Sequence, residues 1–174
     1  MPEIVNSYTQ SMPKVTFIGK KYGDEDRVDG GFGSKWNEWL QNKWFDTLEE
    51  AYGGREVSQQ LFTDGDAAIG LMRCKEGEPF QYWIGMFAPA DAQAPEGYQS
   101  VDFDSSEVGI CWLQGKEPDI YGKEDRCMAR LAEEGFKIGT DDENALWFFE
   151  RYVLSRFTPN EQGELVLDIG FFLE

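Results

Sequence analysis

Residues Leu146–Leu154, LWFFERYVL, form the stretch on which the fold is decided, a β-strand carrying one acid among aromatic side chains. Alternation places Leu146, Phe148, Glu150, Tyr152 and Leu154 on one face and Trp147, Phe149, Arg151 and Val153 on the other. Helices must cover one face of such a sheet, and the expectation here is that they cover the Trp147 and Phe149 side. The other face then closes a cleft, with Glu150 between Phe148 and Tyr152 and little water around it. A carboxylate in that position is costly to ionise unless something positive or hydrogen-bonding meets it. Three outcomes stay open: a raised pKa, a structural ion pair with Arg151, Arg156 or a neighbouring lysine, or a ligand that supplies the partner. Aromatic rings around an anion suit a flat cation, each ring face contributing ~0.5–2 kcal/mol.

Working outward, Lys14–Tyr22 alternates as a strand, and the glycine-rich acidic run 23–33 reads as a loop. Trp36, Leu40, Trp44, Leu48 and Tyr52 recur every four residues, which predicts one helix with an aromatic packing face, stopped at Gly53-Gly54. Trp39 lies at the margin of that stripe, where it could reach a cleft. Phe62–Met72 and Phe80–Phe87 read as strands. After the connector APADAQAPEG the order recurs: a strand over Glu107–Leu113, a helix over Lys123–Glu134 capped by Gly135, and strands over Leu146–Leu154 and Glu164–Leu173. VDFD, residues 101–104, reads as an edge piece. Trp112 shares a face with Ile110 and Val108, and core and cleft wall are equal alternatives for it. The layout is α+β, strand-helix-strand-strand written twice, with two helices over a largely antiparallel sheet. The halves cover about 14–88 and 99–174, and residues 1–13 read as a polar lead-in.

Composition narrows the chemistry. The 174 residues include 33 acidic and 16 basic ones, a formal charge of −17, which disfavours direct contact with nucleic-acid phosphates and favours cationic ligands. There is no histidine, so triads built on histidine and imidazole metal sites are excluded. Acid–base work falls to Asp, Glu, Tyr, Cys or Lys. Three cysteines without a CxxC pair, and acidic loops without EF-hand spacing, give no metal site, and no glycine-rich nucleotide cradle occurs. No cofactor is expected. The N-terminus lacks a signal-peptide pattern and no run approaches a membrane span, so a cytoplasmic protein is expected.

FERYVLSRF followed by NEQGELVLDIGFFLE resembles the C-terminal signature of the GyrI-like family, the effector-binding domain of bacterial multidrug-responsive transcription activators. GFGSKWNEWL, PFQYWIGMF and PEGYQSVDFDSSEVGICWLQG extend the resemblance over residues 14–173. It implies two modules related by a pseudo-twofold, a ligand cleft between them, and a cleft-facing glutamate in the penultimate strand that maps onto Glu150. Tyr152, Phe148, Tyr82, Trp39 and Trp112 are the companion candidates for ligand contact. Activators of the family carry a helix-turn-helix domain ahead of this one, for which this chain has no room. A single stand-alone domain over 14–174 is expected, with no direct nucleic-acid binding.

Three functions follow, in this order. The first is binding of a hydrophobic, aromatic and often cationic small molecule, for sensing, sequestration or detoxification. The second rests on the resemblance: hydrolysis of reactive cyclopropane-containing alkylating compounds, with Glu150 as general base and Tyr82 or Tyr152 assisting. The third is an acidic interaction protein that modulates DNA gyrase.

Overall fold

The computed structural model describes residues 1–174 and contains one eight-stranded antiparallel sheet and four α-helices. The first half contains β2 (Val15–Tyr22), then α1 (Gly33–Gln41), α2 (Trp44–Ala51) and α3 (Arg55–Leu61), then β3 (Ala68–Cys74) and β4 (Gln81–Pro89). The second contains β6 (Ser106–Gly115), α4 (Glu124–Glu133), β7 (Leu146–Tyr152) and β8 (Leu165–Phe172). Two flanking strands, β1 (Glu3–Met12) and β5 (Gln99–Phe103), complete the order β1-β6-β8-β7-β3-β4-β2-β5. The order β6-β8-β7 in one half mirrors β3-β4-β2 in the other, so the repeated layout is a pseudo-twofold with its seam at β7 and β3. Each half borrows its edge: β1, leading into β2, pairs with β6, and β5, leading into β6, pairs with β2.

That exchange forces curvature. Only Pro13 and Lys14 separate β1 from β2, a reach of ~10 Å, whereas six strand spacings in a flat sheet span ~29 Å. The sheet therefore curls until its ends approach. Rings meet across the inside of the curl: Phe103 of β5 stacks on Phe172 of β8 at 4.8 Å and meets Trp147 of β7 at 5.4 Å. Phe17, Phe87 and Phe149 fill the rest of this inner face. A second core lies on the outer face, where the helices pack over Ile18, Met72, Ile84, Leu113, Ile169 and Phe171.

This assigns the two sides of β7 differently from the sequence expectation. Trp147 and Phe149 face the inside of the curl, not the helices, and Phe148, Glu150 and Tyr152 share the helix-bearing face. The sheet covers its own second face by curling, so no helix is needed there. Two further differences have local causes. Residues 3–12 form β1 rather than a loose lead-in, their polar side chains occupying the exposed face of an edge strand. The single helix expected over Trp36–Tyr52 is two short ones, interrupted where Lys43 takes a left-handed φ of 54°, and a third, α3, follows Gly53-Gly54. At the end of α4 the expected cap is present: Gly135 has φ 91°, its N–H bonds Ala132 O, and the Phe136 N–H reaches Leu131 O.

No helix is long and apolar enough to cross a membrane. On the inner side of the sheet Arg151 is 1% exposed and bonds Asp168, 0% exposed, at 2.8 Å. Arg156 reaches the same carboxylate at 2.6 Å and Asp64 at 3.1 Å. Replacing Asp168 by Asn leaves two guanidinium groups short of a buried partner. The expected loss is ~3–5 kcal/mol in urea denaturation, and a loss within about 1 kcal/mol would show that the cluster relaxes into water.

Candidate functional site

The helices of each half sit over their own strands, which leaves the seam uncovered. Over β4, β3 and β7 the gap becomes a cleft of about 1330 Å³. One wall is α1 and α2, with Trp36, Leu40 and Phe45; the other is the segment leading into α4, with Glu117, Tyr121 and Glu124; the 153–157 turn closes an end. Nine of the lining side chains are aromatic, and six acids face two arginines.

Glu150 lies on the floor, 7% exposed, and accepts a hydrogen bond from the Tyr82 hydroxyl. Tyr82 is itself held from two sides. Its oxygen accepts the Trp36 indole N–H at 2.9 Å, and its ring stacks on Phe32 at 4.2 Å with an interplanar angle of 2°. Tyr152 is fixed between Trp36 and Phe157, each with centroids at 4.8 Å. Phe148 stacks on Phe171 at 5.3 Å. The whole group hinges on one glycine. Gly70 of β3 is the cross-strand partner of Glu150, and a Cβ there would lie 2.5 Å from the Tyr82 oxygen and 2.6 Å from Glu150 Oε1. The absent side chain is the space in which the tyrosine and carboxylate meet.

Burial raises the Glu150 pKa to about 7. The Tyr82 hydrogen bond opposes that rise, nearby Glu124 adds to it, and the Tyr152 hydroxyl lowers it again. Tyr82 and Tyr152 are pushed well above the usual phenol range, first by burial and then by the Glu150 charge. Both therefore stay protonated as donors. No cation is bonded to Glu150: the structural ion pair weighed for it is ruled out, because Arg151 and Arg156 serve Asp168.

Of the residues singled out from sequence, Glu150, Tyr152, Phe148 and Tyr82 line the cleft together. Trp39 does not. It is fully buried beneath α1, donates to the Tyr22 hydroxyl at 3.0 Å and meets Trp44 edge-on. Trp112 belongs to the opposite side of the sheet, where it donates to Tyr8 at 3.2 Å and lies under Arg156 at 4.4 Å. Trp36, assigned to packing by the four-residue rhythm, is the indole that lines the cleft. The rhythm crosses the break at Lys43 and does not describe one face. Phe32, Tyr121, Glu124 and Phe157 also line it. All four come from loops or element ends, where periodicity carries no signal.

Two measurements bear on this geometry. The folded state holds the Glu150 proton more tightly than the unfolded chain. This contribution is therefore greatest below pH ~4.5, is lost as pH rises to ~7, and is gone above. The stability of Glu150→Gln relative to the parent should accordingly climb by about 3 kcal/mol between those limits and then level off, read by denaturation across pH. A flat difference would place the carboxyl in water. In Gly70→Ala the added methyl parts Tyr82 from Glu150 and removes the hydrogen bond that favours the anion. The carboxyl should then titrate above its parent value, followed by carbon NMR of the Glu150 side chain, and an unchanged titration would refute the role given to Gly70.

No protein-family model and no curated protein matches the sequence. Solved structures do match the fold. SAV2435, in a structure bound to tetraphenylphosphonium, is 15% identical with a TM-score of 0.62, over 98% of this chain and 94% of that one. The EcmrR C-terminal domain is 10% identical with a TM-score of 0.59, over 97% of each chain. A hydrolase from Listeria innocua is 8% identical with a TM-score of 0.52, over 97% of this chain and 92% of that one. At these identities the likeness is one of fold: the chain shares its architecture with SAV2435 and with the EcmrR C-terminal domain over nearly its whole length.

Proposed function

We propose that the cleft binds a hydrophobic aromatic cation, with Glu150 as its counter-charge and Tyr82, Tyr152, Phe148 and Trp36 as the ring surfaces around it. The observation that carries this reading is a carboxylate 7% exposed, its pKa raised to about 7, with no cation bonded to it on the floor of an aromatic cleft. A cation arriving there relieves the cost of ionising Glu150 and meets ring faces in a partly dehydrated space, where each contact is worth ~0.5–2 kcal/mol. The acidic lining adds attraction during approach. SAV2435, which shares the fold, was solved with such a cation.

Hydrolysis is the second reading, favoured by the Tyr82–Glu150 hydrogen bond. Once ionised, a carboxylate of pKa near 7 can take a proton from water while a tyrosine donates to developing charge. Both readings need the ionised form, but they differ in turnover.

Titration with tetraphenylphosphonium, followed by tryptophan quenching, is the direct test, since Trp36 lines the cleft. Affinity should fall roughly tenfold per pH unit below ~7 and be flat above. In Glu150→Gln it should drop and lose this pH dependence. Binding that ignores both the substitution and pH would refute the counter-charge role. Product formed beyond one equivalent from a strained electrophile, and abolished in Glu150→Gln, would select the hydrolase.

A further inference from the structure

The cleft contains more negative charge than one cation neutralises. Both arginines that line it are already paired: Arg27 with Asp24 at 2.8 Å, lying over the Phe32 ring, and Arg55 with Asp66 at 2.9 Å. Asp64 is taken by Arg156 at 3.1 Å, and Glu117 accepts the Tyr121 hydroxyl at 2.7 Å. Two of the lining acids, Glu49 of α2 and Glu124 in the first turn of α4, are half-buried with neither a salt bridge nor a side-chain hydrogen bond. Glu49 lies near Arg55, whereas Glu124 acts on the acid at the floor. Its charge is felt at both Glu150 and Tyr82, which places it on the approach to the floor. Two carboxylates close enough to repel each other, neither of them in a salt bridge and both arginines of the lining paired elsewhere, form an arrangement that a ligand completes. The volume agrees: about 1330 Å³ exceeds the ~300–1,000 Å³ typical of a site for one compact ligand.

We infer that the cleft is built for aromatic dications, with one positive centre over Glu150 and a second against Glu124 at the α4 wall. The inference rests on the reading of Glu150 as a counter-charge and adds Glu124 as the residue that selects for the second charge. The helix dipole favours an anion in the first turn of α4, so Glu124 is held there at no electrostatic cost to its own helix. A monocation satisfies Glu150 and leaves Glu124 facing it unpaired. A dication of the right length satisfies both and removes their mutual repulsion.

The test compares tetraphenylphosphonium with two triphenylphosphonium groups joined by alkyl linkers of graded length, above pH ~8 where Glu150 is ionised. The parent should bind the best dication at least about tenfold more tightly than the monocation. Glu124→Gln should bring the dication down to the monocation's affinity, costing the dication at least about fivefold more than it costs tetraphenylphosphonium. Glu161→Gln makes the same change in net charge at an exposed turn outside the cleft and should leave the dication's advantage intact. No advantage in the parent, an advantage that survives Glu124→Gln, or one equally lost in Glu161→Gln overturns the inference. Tetraphenylphosphonium binding that is indifferent to Glu150→Gln overturns the counter-charge reading instead, and failure of both probes to bind overturns both.

Discussion

The pairing of β3 with β7 is the constraint on which the rest depends. It joins the two halves, and because each half covers its own strands with its own helices, the outer face of this ladder lies open between the two sets of helices. Register then decides what lies there. Gly70 stands opposite Glu150, Met72 opposite Phe148 and Ala68 opposite Tyr152. Small or flexible residues on β3 thus face large or acidic ones on β7. A shift of one residue would turn Glu150 into the phenylalanine-filled interior of the curl and bring Arg151 to the cleft. The cleft is therefore a consequence of duplicating a module and of one register.

Glu150 and Arg151 show how the two faces treat charge. They are adjacent in sequence, both are at least nine-tenths buried, and they meet opposite fates. Arg151 points inward, where Asp168 and Asp64 from two other segments surround it, an arrangement in which buried charges are compensated within the fold. Glu150 points outward and receives hydrogen bonds but no cation. Hydrogen bonding alone recovers only part of the desolvation cost, and the pKa rises to about 7 as a result. A fold that places a full ion-pair cluster one residue away has not compensated Glu150 in the same manner.

The sequence made this much legible because strand alternation is local. LWFFERYVL determines by itself that Phe148, Glu150 and Tyr152 share a face, the repeated order of elements gives the two-module layout, and the pseudo-twofold is what the family resemblance implies. Which face the helices take was not legible, since it depends on the curl, and the curl depends on β1 and β5 being exchanged between halves. Strand β1 was hidden because an edge strand with one wet face has the composition of a loose tail. Trp39 and Trp36 exchanged roles because the aromatic rhythm continues through the break at Lys43 as though the helix were unbroken. Gly70 gave no sign in sequence at all: a glycine within AIGLMRC acquires its meaning only from what stands across from it.

Magnitudes indicate how the work of the cleft divides between charge and shape. Restoring the Glu150 pKa from about 7 to its ordinary value is worth about 3 kcal/mol, or ~100-fold in affinity, and this bounds what the counter-charge supplies. Micromolar binding needs ~8 kcal/mol net, after the costs of association have been met. The remainder must come from ring contact and apolar burial, at ~25 cal/mol per Å². On the proposed counter-charge reading, charge at the floor would select among ligands of similar shape, whereas the aromatic walls would set how tightly any of them is held. Water admitted for hydrolysis would have to occupy the same place beside Glu150 that a cation takes. The two proposed activities would thus compete for one ionised carboxylate, and the fit of the walls to the ligand would decide between them.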